Sequence, residues 1–303
     1  MITVVGSFNM DLFIEAPRFP KSGEAILGKN FRRAPGGKGA NQAFAVGRMG
    51  HPAFMIGAVG QDAFGDEMIA QLDTLGVNTS GVVRRSDVAS GTAMIVLDAT
   101  GQNQIVVANG ANDTLTAADV EKQRKVIGEC QALIVQLETS PESVEAAIRI
   151  ASEQKVLTVL NPAPYAPVSD TLLERCDWII PNEGEAALLS GMAVSGPDDA
   201  PKAAEVIRHR SGGRPALITL GSKGVWIDSL EFTGLVPGFE VKALDTVGAG
   251  DTFIGAFVTR LVEGATPGDA ARFGCAAAAI AVTRRGAQAS IPTRTEVEAF
   301  LNL

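Results

Sequence analysis

Residues 132–160 read ALIVQLETSPESVEAAIRIASEQKVLTVL, and this stretch of the sequence decides the fold class. Its two ends, Ala132–Val135 and Val156–Leu160, are short runs that are apolar on both faces, as strands buried inside a parallel sheet are. Residues 141–153 fill the interval with a helical pattern. Because a crossover between parallel strands is right-handed and commonly contains a helix, the stretch predicts one unit of an α/β fold.

The same alternation of strand and helix continues in both directions along the chain. Further buried strands are predicted at Ile2–Val5, Ala53–Ile56, Trp178–Ile180 and Ala216–Thr219. Further helices are predicted near residues 40–49, 62–75, 116–128, 199–210, 249–263 and 267–284. The alternation predicts a doubly wound, mostly parallel sheet with helices on both faces.

Two regions, at about residues 12–34 and 80–108, interrupt this rhythm. They contain short alternating segments without a helix between them: Leu12–Glu15, Gly81–Arg84, Thr92–Leu97 and Gln104–Val107. We expect these segments to form a small, mostly antiparallel sheet that acts as a lid. No linker or shift in composition marks a second domain, so residues 1–303 are expected to form a single α/β domain.

Composition excludes several classes of function. The net charge of −8 gives no general attraction for nucleic acid or anionic lipid. The three cysteines are scattered without a CxxC pair, which argues against disulfides and cysteine zinc sites and fits a reducing compartment. The N-terminus lacks the pattern of a signal peptide, and the apolar run at 276–282 is too short to span a membrane. We therefore expect a cytoplasmic protein without nucleic-acid or membrane partners.

The segment DTVGAGDT at residues 245–252 lies between a predicted strand and a helix rich in small residues. Gly248 and Gly250 let backbone N–H groups converge at the helix N-terminus, a geometry that binds phosphate. Asp251 lies at the same helix start, where it can accept a hydroxyl proton during phosphoryl transfer. The residues alone are equally consistent with an aspartate that caps a helix after a glycine turn.

A second glycine-rich stretch, GGKGANQ at residues 36–42, opens another helix. Glycines let a ligand approach the backbone, and Asn41 offers both donors and acceptors to a sugar hydroxyl. Asn9 and Asp11 project to one side of an extended strand and can bind neighbouring hydroxyls. Each of these features alone is also typical of a plain turn or a polar strand end. No GxxxxGK[ST] loop occurs, and no GxGxxG follows the first strand, which excludes P-loop enzymes and Rossmann dehydrogenases.

Polar residues also follow four other predicted strands, where open α/β sheets bind ligands. The segments are QLE at 136–138, NPAP at 161–164, NEGE at 182–185 and TLGSKG at 219–224. With these motifs in this order, the chain from Val4 to about Leu301 resembles the ribokinase-like sugar kinases. The pair GGKGANQ and DTVGAGDTF carries most of the specificity, and GSFNMD, PNEGEA and TRRGAQ most resemble the members that phosphorylate ribose.

The resemblance implies a role for each matching position. The sugar site would comprise Asn9, Asp11, Gly37, Lys38, Gly39, Ala40, Asn41 and Glu138. Asp251 would be the general base, beside an anion hole of Gly248, Ala249 and Gly250. The ATP site would comprise Asn182, Glu185, Thr219, Leu220, Gly221, Ser222, Lys223, Gly224, Gly250 and Cys275, with Mg²⁺ held through water near Asn182 and Glu185. A K⁺ loop would comprise Asp245, Val247, Ala281, Arg284, Gly286 and Ser290, although the residues alone favour a simple ion pair between Asp245 and an arginine at 284 or 285.

The resemblance further implies a homodimer made through the lids and ATP-dependent phosphorylation of a pentose, giving D-ribose 5-phosphate from D-ribose. Cys275 departs from the family, which often carries histidine near the adenine, and Met10 stands where a smaller residue is common. A kinase for 2-deoxyribose, another sugar or a nucleoside remains an alternative, as does a sugar-binding regulator without catalysis. The scarcity of tyrosine and tryptophan weighs against a nucleoside, and the intact GAGD and NxxE motifs weigh against a regulator.

Overall fold

The computed structural model describes residues 1–100 and 102–302. The strands are β1 (Ile2–Val5), β2 (Asn9–Glu15), β3 (Lys29–Gly36), β4 (Ala53–Gly60), β5 (Asn78–Arg85), β6 (Gly91–Leu97), β7 (Asn103–Ala108), β8 (Ala132–Val135), β9 (Leu157–Leu160), β10 (Trp178–Ile179), β11 (Ala216–Thr219), β12 (Gly224–Asp228) and β13 (Thr233–Pro237). The α-helices are α1 (Lys38–Arg48), α2 (Ala63–Asp73), α3 (Ala117–Glu121), α4 (Arg124–Glu129), α5 (Pro141–Glu153), α6 (Asp170–Leu173), α7 (Glu183–Ser190), α8 (Ala200–Arg210), α9 (Ala249–Val262), α10 (Pro267–Val282) and α11 (Arg294–Leu301).

The large sheet has nine strands in the order β13-β12-β11-β10-β9-β8-β1-β4-β5. All neighbours from β11 to β5 are parallel, whereas the pairs β11–β12 and β12–β13 are antiparallel. Both faces are covered, because in β8 Ala132 and Ile134 pack into one hydrophobic cluster while Leu133 and Val135 pack into another. The predicted doubly wound, mostly parallel sheet is confirmed.

The small sheet has four strands in the order β3-β2-β6-β7, with antiparallel outer pairs and a parallel central pair. One predicted lid strand was wrong: Gly81–Arg84 belongs to β5, which pairs in parallel with β4 at the edge of the large sheet. Strand β5 lies at the sheet edge and is polar at both ends around Gly81, Val82 and Val83, so its sequence lacks the continuous apolar run of a central strand. The strands of the predicted lid are therefore β2, β3, β6 and β7.

Two local features also differ from the sequence-based expectation. The helix predicted at 116–128 is two short helices, because Thr116 and Asp119 form a capping box for α3 and the chain turns again at Gln123. The β12–β13 hairpin was not predicted. Within residues 1–100 and 102–302, no helix is long and apolar enough to cross a membrane. The single-domain organisation stays a prediction.

Candidate active site

A cavity of about 220 Å³ opens at the carboxyl edge of the large sheet. It is lined by residues that follow β9, β10 and β11 and by the first turns of α1, α7 and α9: Lys38, Asn161, Ala163, Ile180, Asn182, Glu185, Thr219, Thr246, Gly248, Gly250, Asp251 and Ile254. The predicted glycine-rich turns and strand ends thus meet at one place, as expected for an open α/β sheet.

The carboxylate of Asp251 lies at the bottom of this cavity and is 8% exposed. Its Oδ2 accepts a hydrogen bond of 2.9 Å from the Asn41 amide, and its Oδ1 accepts one of 2.9 Å from the Gln42 amide. Burial raises the pKa of Asp251, while the Lys38 ammonium and the two amides act in the opposite direction. The structure therefore combines two donors and one cation around a buried carboxylate.

Helix α9 begins without a side-chain cap, at Gly248 with a left-handed φ of 76°. The N–H groups of Gly250 and Asp251 have no hydrogen-bond partner among the described residues. An alanine at Gly248 would bring its Cβ to 3.1 Å from the Cα of Ala287, in addition to the strain of a positive φ. Free N–H groups at a helix start, open to a cavity, provide the geometry of an anion site.

The start of α1 lies against the end of β1 at backbone distance. A Cβ at Gly37 would come within 2.6 Å of the Asn9 nitrogen, and a Cβ at Gly39 within 2.5 Å of the Ser7 nitrogen. Glu138 completes this junction, since its carboxylate accepts the Lys38 backbone N–H at 3.0 Å and the Ser7 hydroxyl. Close packing of backbone against backbone is thus sufficient to explain why Gly37 and Gly39 are glycines, without a ligand.

Asp11 lies on β2 with its carboxylate over Gly36, where a Cβ would come within 2.6 Å of Oδ2. Burial, with the charges of Glu138 and Asp251, raises the pKa of Asp11 to about 7. Asp11 therefore lies close enough to Glu138 and Asp251 to interact with both carboxylates, and Asn9 is buried at the start of the same strand. Met10 points the other way and is fully buried in the main hydrophobic core.

Asn112 is a residue that the sequence reasoning missed. It is fully buried, and its side chain bonds to both backbone groups of Phe8 at 2.9 Å. Its Nδ2 also donates to Oδ1 of Asn9 at 2.9 Å, which leaves the Asn9 amide N–H₂ free to point elsewhere. Nothing in the local sequence GAND distinguishes this role from that of a turn residue, because the partner lies 103 positions away.

Lys38 brings the positive charge of the site. Burial disfavours the charged form, but the carboxylates of Asp251, Glu138 and Glu185 outweigh it and raise the pKa of Lys38. The ammonium therefore stays charged in the pH range where carboxylates are ionised. Its position on the cavity wall with Glu185 and Asp251 suits it to an anionic ligand as well as to a sugar.

The NxxE motif forms a reciprocal capping box at the start of α7. The Asn182 side chain accepts from the Glu185 N–H at 2.9 Å, and the Glu185 carboxylate accepts from the Asn182 N–H at 2.8 Å. Burial raises the pKa of Glu185. Asn182 also forms an isolated parallel bridge with Thr219, so the motif joins two predicted parts of the ATP site.

The segment 219–224 forms a tight turn between β11 and β12, in which the Leu220 N–H donates to the Gly224 carbonyl at 2.8 Å. Gly224 has a φ of 100°, and a Cβ there would come within 2.1 Å of the Val236 carbonyl oxygen.

Cys275, the remaining residue of the predicted ATP site, is buried in the main core, where burial raises the pKa of its thiol to about 12. It does not line the cavity, so its contact with a nucleotide stays a prediction.

Asp245 joins the two segments of the predicted cation loop. Its carboxylate accepts the Gly286 N–H at 2.9 Å and the Val247 N–H at 3.1 Å. The simple ion pair with an arginine was wrong for Arg284, whose guanidinium pairs with Glu296 at 2.6 Å. Ser290 instead donates its hydroxyl to the Ala287 carbonyl at 2.7 Å. The described residues contain no cluster of three or more His, Cys, Asp or Glu side chains suited to a metal ion.

Comparison with known proteins agrees with this geometry. The family described as pfkB family carbohydrate kinase matches residues 1–294. The chain is 44% identical to a ribokinase of Haemophilus influenzae, covering 99% of this chain and 98% of that protein. It is 34% identical to a deoxyribokinase of Salmonella typhi, with 100% and 99% covered.

A solved structure of Arabidopsis thaliana ribokinase complexed with ribose and ATP superimposes with a TM-score of 0.89. Its sequence is 29% identical, and the alignment covers 100% of this chain and 98% of that chain. Together with the family match over nearly the whole length, these similarities confirm the predicted family and its fold. This chain belongs to the pfkB family of carbohydrate kinases.

Proposed function

We propose that this chain transfers the γ-phosphoryl group of ATP to the primary hydroxyl of D-ribose and releases D-ribose 5-phosphate. One observation carries the proposal: the buried carboxylate of Asp251 adjoins N–H groups of α9 that no described residue occupies. Phosphoryl transfer needs a base and an anion site in contact, since positioning and electrostatics supply most of the catalysis. Ribose is favoured over 2-deoxyribose because the identity to the named ribokinase is 44%, against 34% to the named deoxyribokinase.

In this scheme the attacking hydroxyl gives its proton to Asp251 while its oxygen bonds to the γ-phosphorus and ADP leaves. Gly248, Ala249 and Gly250 would bind the transferring group through backbone N–H, of which that of Ala249 also donates to the Thr246 carbonyl at 3.3 Å. The sugar would be held by Asn9, Asp11, Gly37, Lys38, Gly39, Ala40, Asn41 and Glu138. One feature favours Asn41 in particular, because its Oδ1 is buried and has no partner among the described residues. It is thus an acceptor that a sugar hydroxyl would satisfy.

We assign the ATP phosphates to the cavity between Lys38 and Glu185, and the nucleoside to the turn at 219–224. Mg²⁺ bound with the nucleotide would neutralise the developing phosphate charge. Asn182 and Glu185 fit a role through bridging water, since the capping box occupies only one oxygen of the Glu185 carboxylate. The arrangement leaves the second oxygen for a hydrated ion.

We further propose that K⁺ is held by Asp245 with Ser290 and the carbonyls of Val247, Ala281, Arg284 and Gly286. The carbonyls of Val247, Arg284 and Gly286 accept no hydrogen bond from a described residue, which fits an oxygen-coordinated cation. The same loop adjoins the start of α9, because Gly248 packs against Ala287. A cation here would hold the anion hole in shape without touching the reacting atoms.

A homodimer through the lids is the last part of this proposal. The small sheet exposes large apolar side chains, with Val106 71% and Met94 59% exposed. Strand β7 is also an open edge of that sheet. Exposed apolar faces and open edges favour association, so pairing two lids would cover both.

The test is a coupled ADP assay with a panel of pentoses, hexoses and nucleosides, run on the wild-type protein and on Asp251→Asn. Loss of the base is expected to lower kcat by about 10²–10⁴-fold with ribose. Asp269→Asn is the matched control, because Asp269 is the third residue of α10 as Asp251 is the third of α9, yet it is exposed. Near wild-type turnover in Asp251→Asn would refute the assignment, and absence of ADP with every sugar would favour a binding protein.

A further inference from the structure

Behind Asp251 lies a buried network of three amide side chains, Gln42, Gln136 and Asn161. Gln42 is fully buried, and its Nε2 donates both to Asp251 Oδ1 at 2.9 Å and to Asn161 Oδ1 at 3.1 Å. Its Oε1 accepts from Gln136 Nε2 at 2.6 Å. The Gln42 amide thus makes three hydrogen bonds, two as donor and one as acceptor. None of these bonds is a contact with the sugar or the phosphate proposed above.

The orientation of each amide in the network is fixed, because Asn161 bonds to a backbone carbonyl. Asn161 donates its Nδ2 to the Ile180 carbonyl at 2.9 Å, and a carbonyl can only accept. The Oδ1 of Asn161 must therefore face Gln42. A reversed Gln42 amide would place its oxygen against the oxygens of Asp251 and Asn161, so only the observed orientation gives each polar atom of Gln42 a partner. Gln136 Oε1 has no partner among the described residues.

We infer that Gln42 is a positioning residue for the reaction, which keeps the Asp251 carboxylate ionised and fixes the direction in which it accepts the proton. The inference rests on the proposed role of Asp251 as the base. Asn41 holds the other carboxylate oxygen, but Asn41 is also proposed to bind the sugar. Gln42 makes no such contact, so it provides a donor that is in place before the sugar arrives.

The electrostatics of the site show why such a donor matters. The charged or titratable groups that act on Asp251 are Lys38 on α1, Glu138 after β8, Asp11 on β2 and Glu185 on α7. Three of these four are carboxyl groups, and burial adds to their effect on the Asp251 carboxylate. Charge-assisted hydrogen bonds to the ionised form oppose this tendency. Removing the Gln42 donor is therefore expected to raise the pKa of Asp251.

The test compares the pH dependence of kcat in Gln42→Met with that of the wild-type protein at saturating ribose and ATP. Methionine conserves volume and removes the donor. The acid limb is expected to move up by about one pH unit, since a hydrogen bond to a charged group is worth about 1.5–3 kcal/mol. The KM for ATP should change little. Gln131→Met is the control, because Gln131 is exposed immediately before β8 and its side chain bonds to the Met1 ammonium and to His51, so this variant should keep the wild-type profile.

A second variant covers the case in which Gln42→Met does not fold. Gln136→Met removes only the bond that orients Gln42, so a smaller shift in the same direction is expected. A wild-type acid limb in a folded Gln42→Met, or in Gln136→Met if the first variant fails to fold, would overturn the inference. Asp251→Asn separates the two questions: if it stays active the proposed base is wrong, whereas if it is inactive and the profiles do not move only the role of Gln42 is wrong.

Discussion

Replacing Gly39 by alanine would test whether glycine is required in this turn because the backbone of α1 packs closely against the backbone of Gly6 and Ser7. Gly39 is the second residue of α1 and does not have a positive φ, so its conformation alone does not require glycine. An added Cβ would nevertheless lie 2.5 Å from the Ser7 nitrogen and 2.6 Å from the Gly6 Cα. Both are backbone atoms, which cannot rotate away as a side chain would.

The expected loss follows from these distances. Ordinary contact begins at 3.4 Å, so relief of the 2.5 Å contact requires α1 and β1 to separate by about 0.9 Å. That movement also strains the hydrogen bond from the Ala40 N–H to the Ser7 carbonyl, which is 2.9 Å long. Overpacking costs about 1–3 kcal/mol, against a gain of at most about 1 kcal/mol in helix propensity. Activity should fall more, because a displacement of about 1 Å in a positioning element can cost about 10²-fold.

Thermal unfolding and kcat/KM for ribose measure the two effects separately. The matched control is Gly184→Ala, at the second position of α7, where a Cβ would come no closer than 3.5 Å to the Asn182 side chain. We expect Gly184→Ala to keep its stability and Gly39→Ala to lose both stability and activity. If the two variants unfold at the same temperature and Gly39→Ala remains active, the packing explanation is wrong.

Further predictions address the remaining parts of the site. When the enzyme is purified in Tris without alkali cations, its kcat should be higher in KCl than in choline chloride at matched ionic strength. Identical kcat in both salts would contradict the proposed K⁺ site at Asp245. Ribose should have a higher kcat/KM than 2-deoxyribose, since a missing hydroxyl leaves buried partners unpaired. Equal kcat/KM values for the two sugars would contradict the assignment of ribose as the preferred substrate. The kcat/KM for ribose should rise with pH through about 7, where Asp11 becomes ionised, and this step should be absent in Asp11→Asn; an unchanged step would assign it to another group. Light scattering should give about twice the 31.5 kDa chain mass, and Val106→Asp should give the monomer; a wild-type monomer would contradict the dimer.

The sequence predicted best the elements whose environment is uniform along their length. Strands β1, β8 and β11 and helix α5 were predicted with the bounds that the structure has. The strands are buried and mostly apolar because both faces of the sheet are covered, and α5 follows Ser140 and starts at Pro141, a capping serine followed by a first-turn proline. Edge strands were harder, because β5 is apolar only at its centre and polar at both ends, so it lacks the uniform apolar run of the central strands.

The residues of the site also differ in how well the sequence predicted them. Motifs that are local in sequence, such as GGKG and GAGD, were found because their chemistry lies within one turn. The supporting residues were missed because their partners are distant: Gln42 bonds to Asp251 across 209 positions, and Asn112 bonds to Asn9 across 103. An amide side chain has no sequence pattern that states its partner, so only the folded structure shows which donors and acceptors meet.

The helix starts around the cavity indicate where a ligand belongs. At α7 the capping box satisfies the N–H groups of Asn182 and Glu185, and at α1 Glu138 and Ser7 accept the Lys38 and Ala40 N–H groups. At α9 the glycine cap offers no side chain, and the Ala249 N–H donates to the Thr246 carbonyl at 3.3 Å. The N–H groups of Gly250 and Asp251, two residues that line the cavity, have no partner among the described residues. The N–H groups of Gly250 and Asp251 are thus donors that a ligand from outside the chain can satisfy. An anion beside the Asp251 carboxylate satisfies them, and the phosphoryl group of a nucleotide is the anion that the family's reaction supplies.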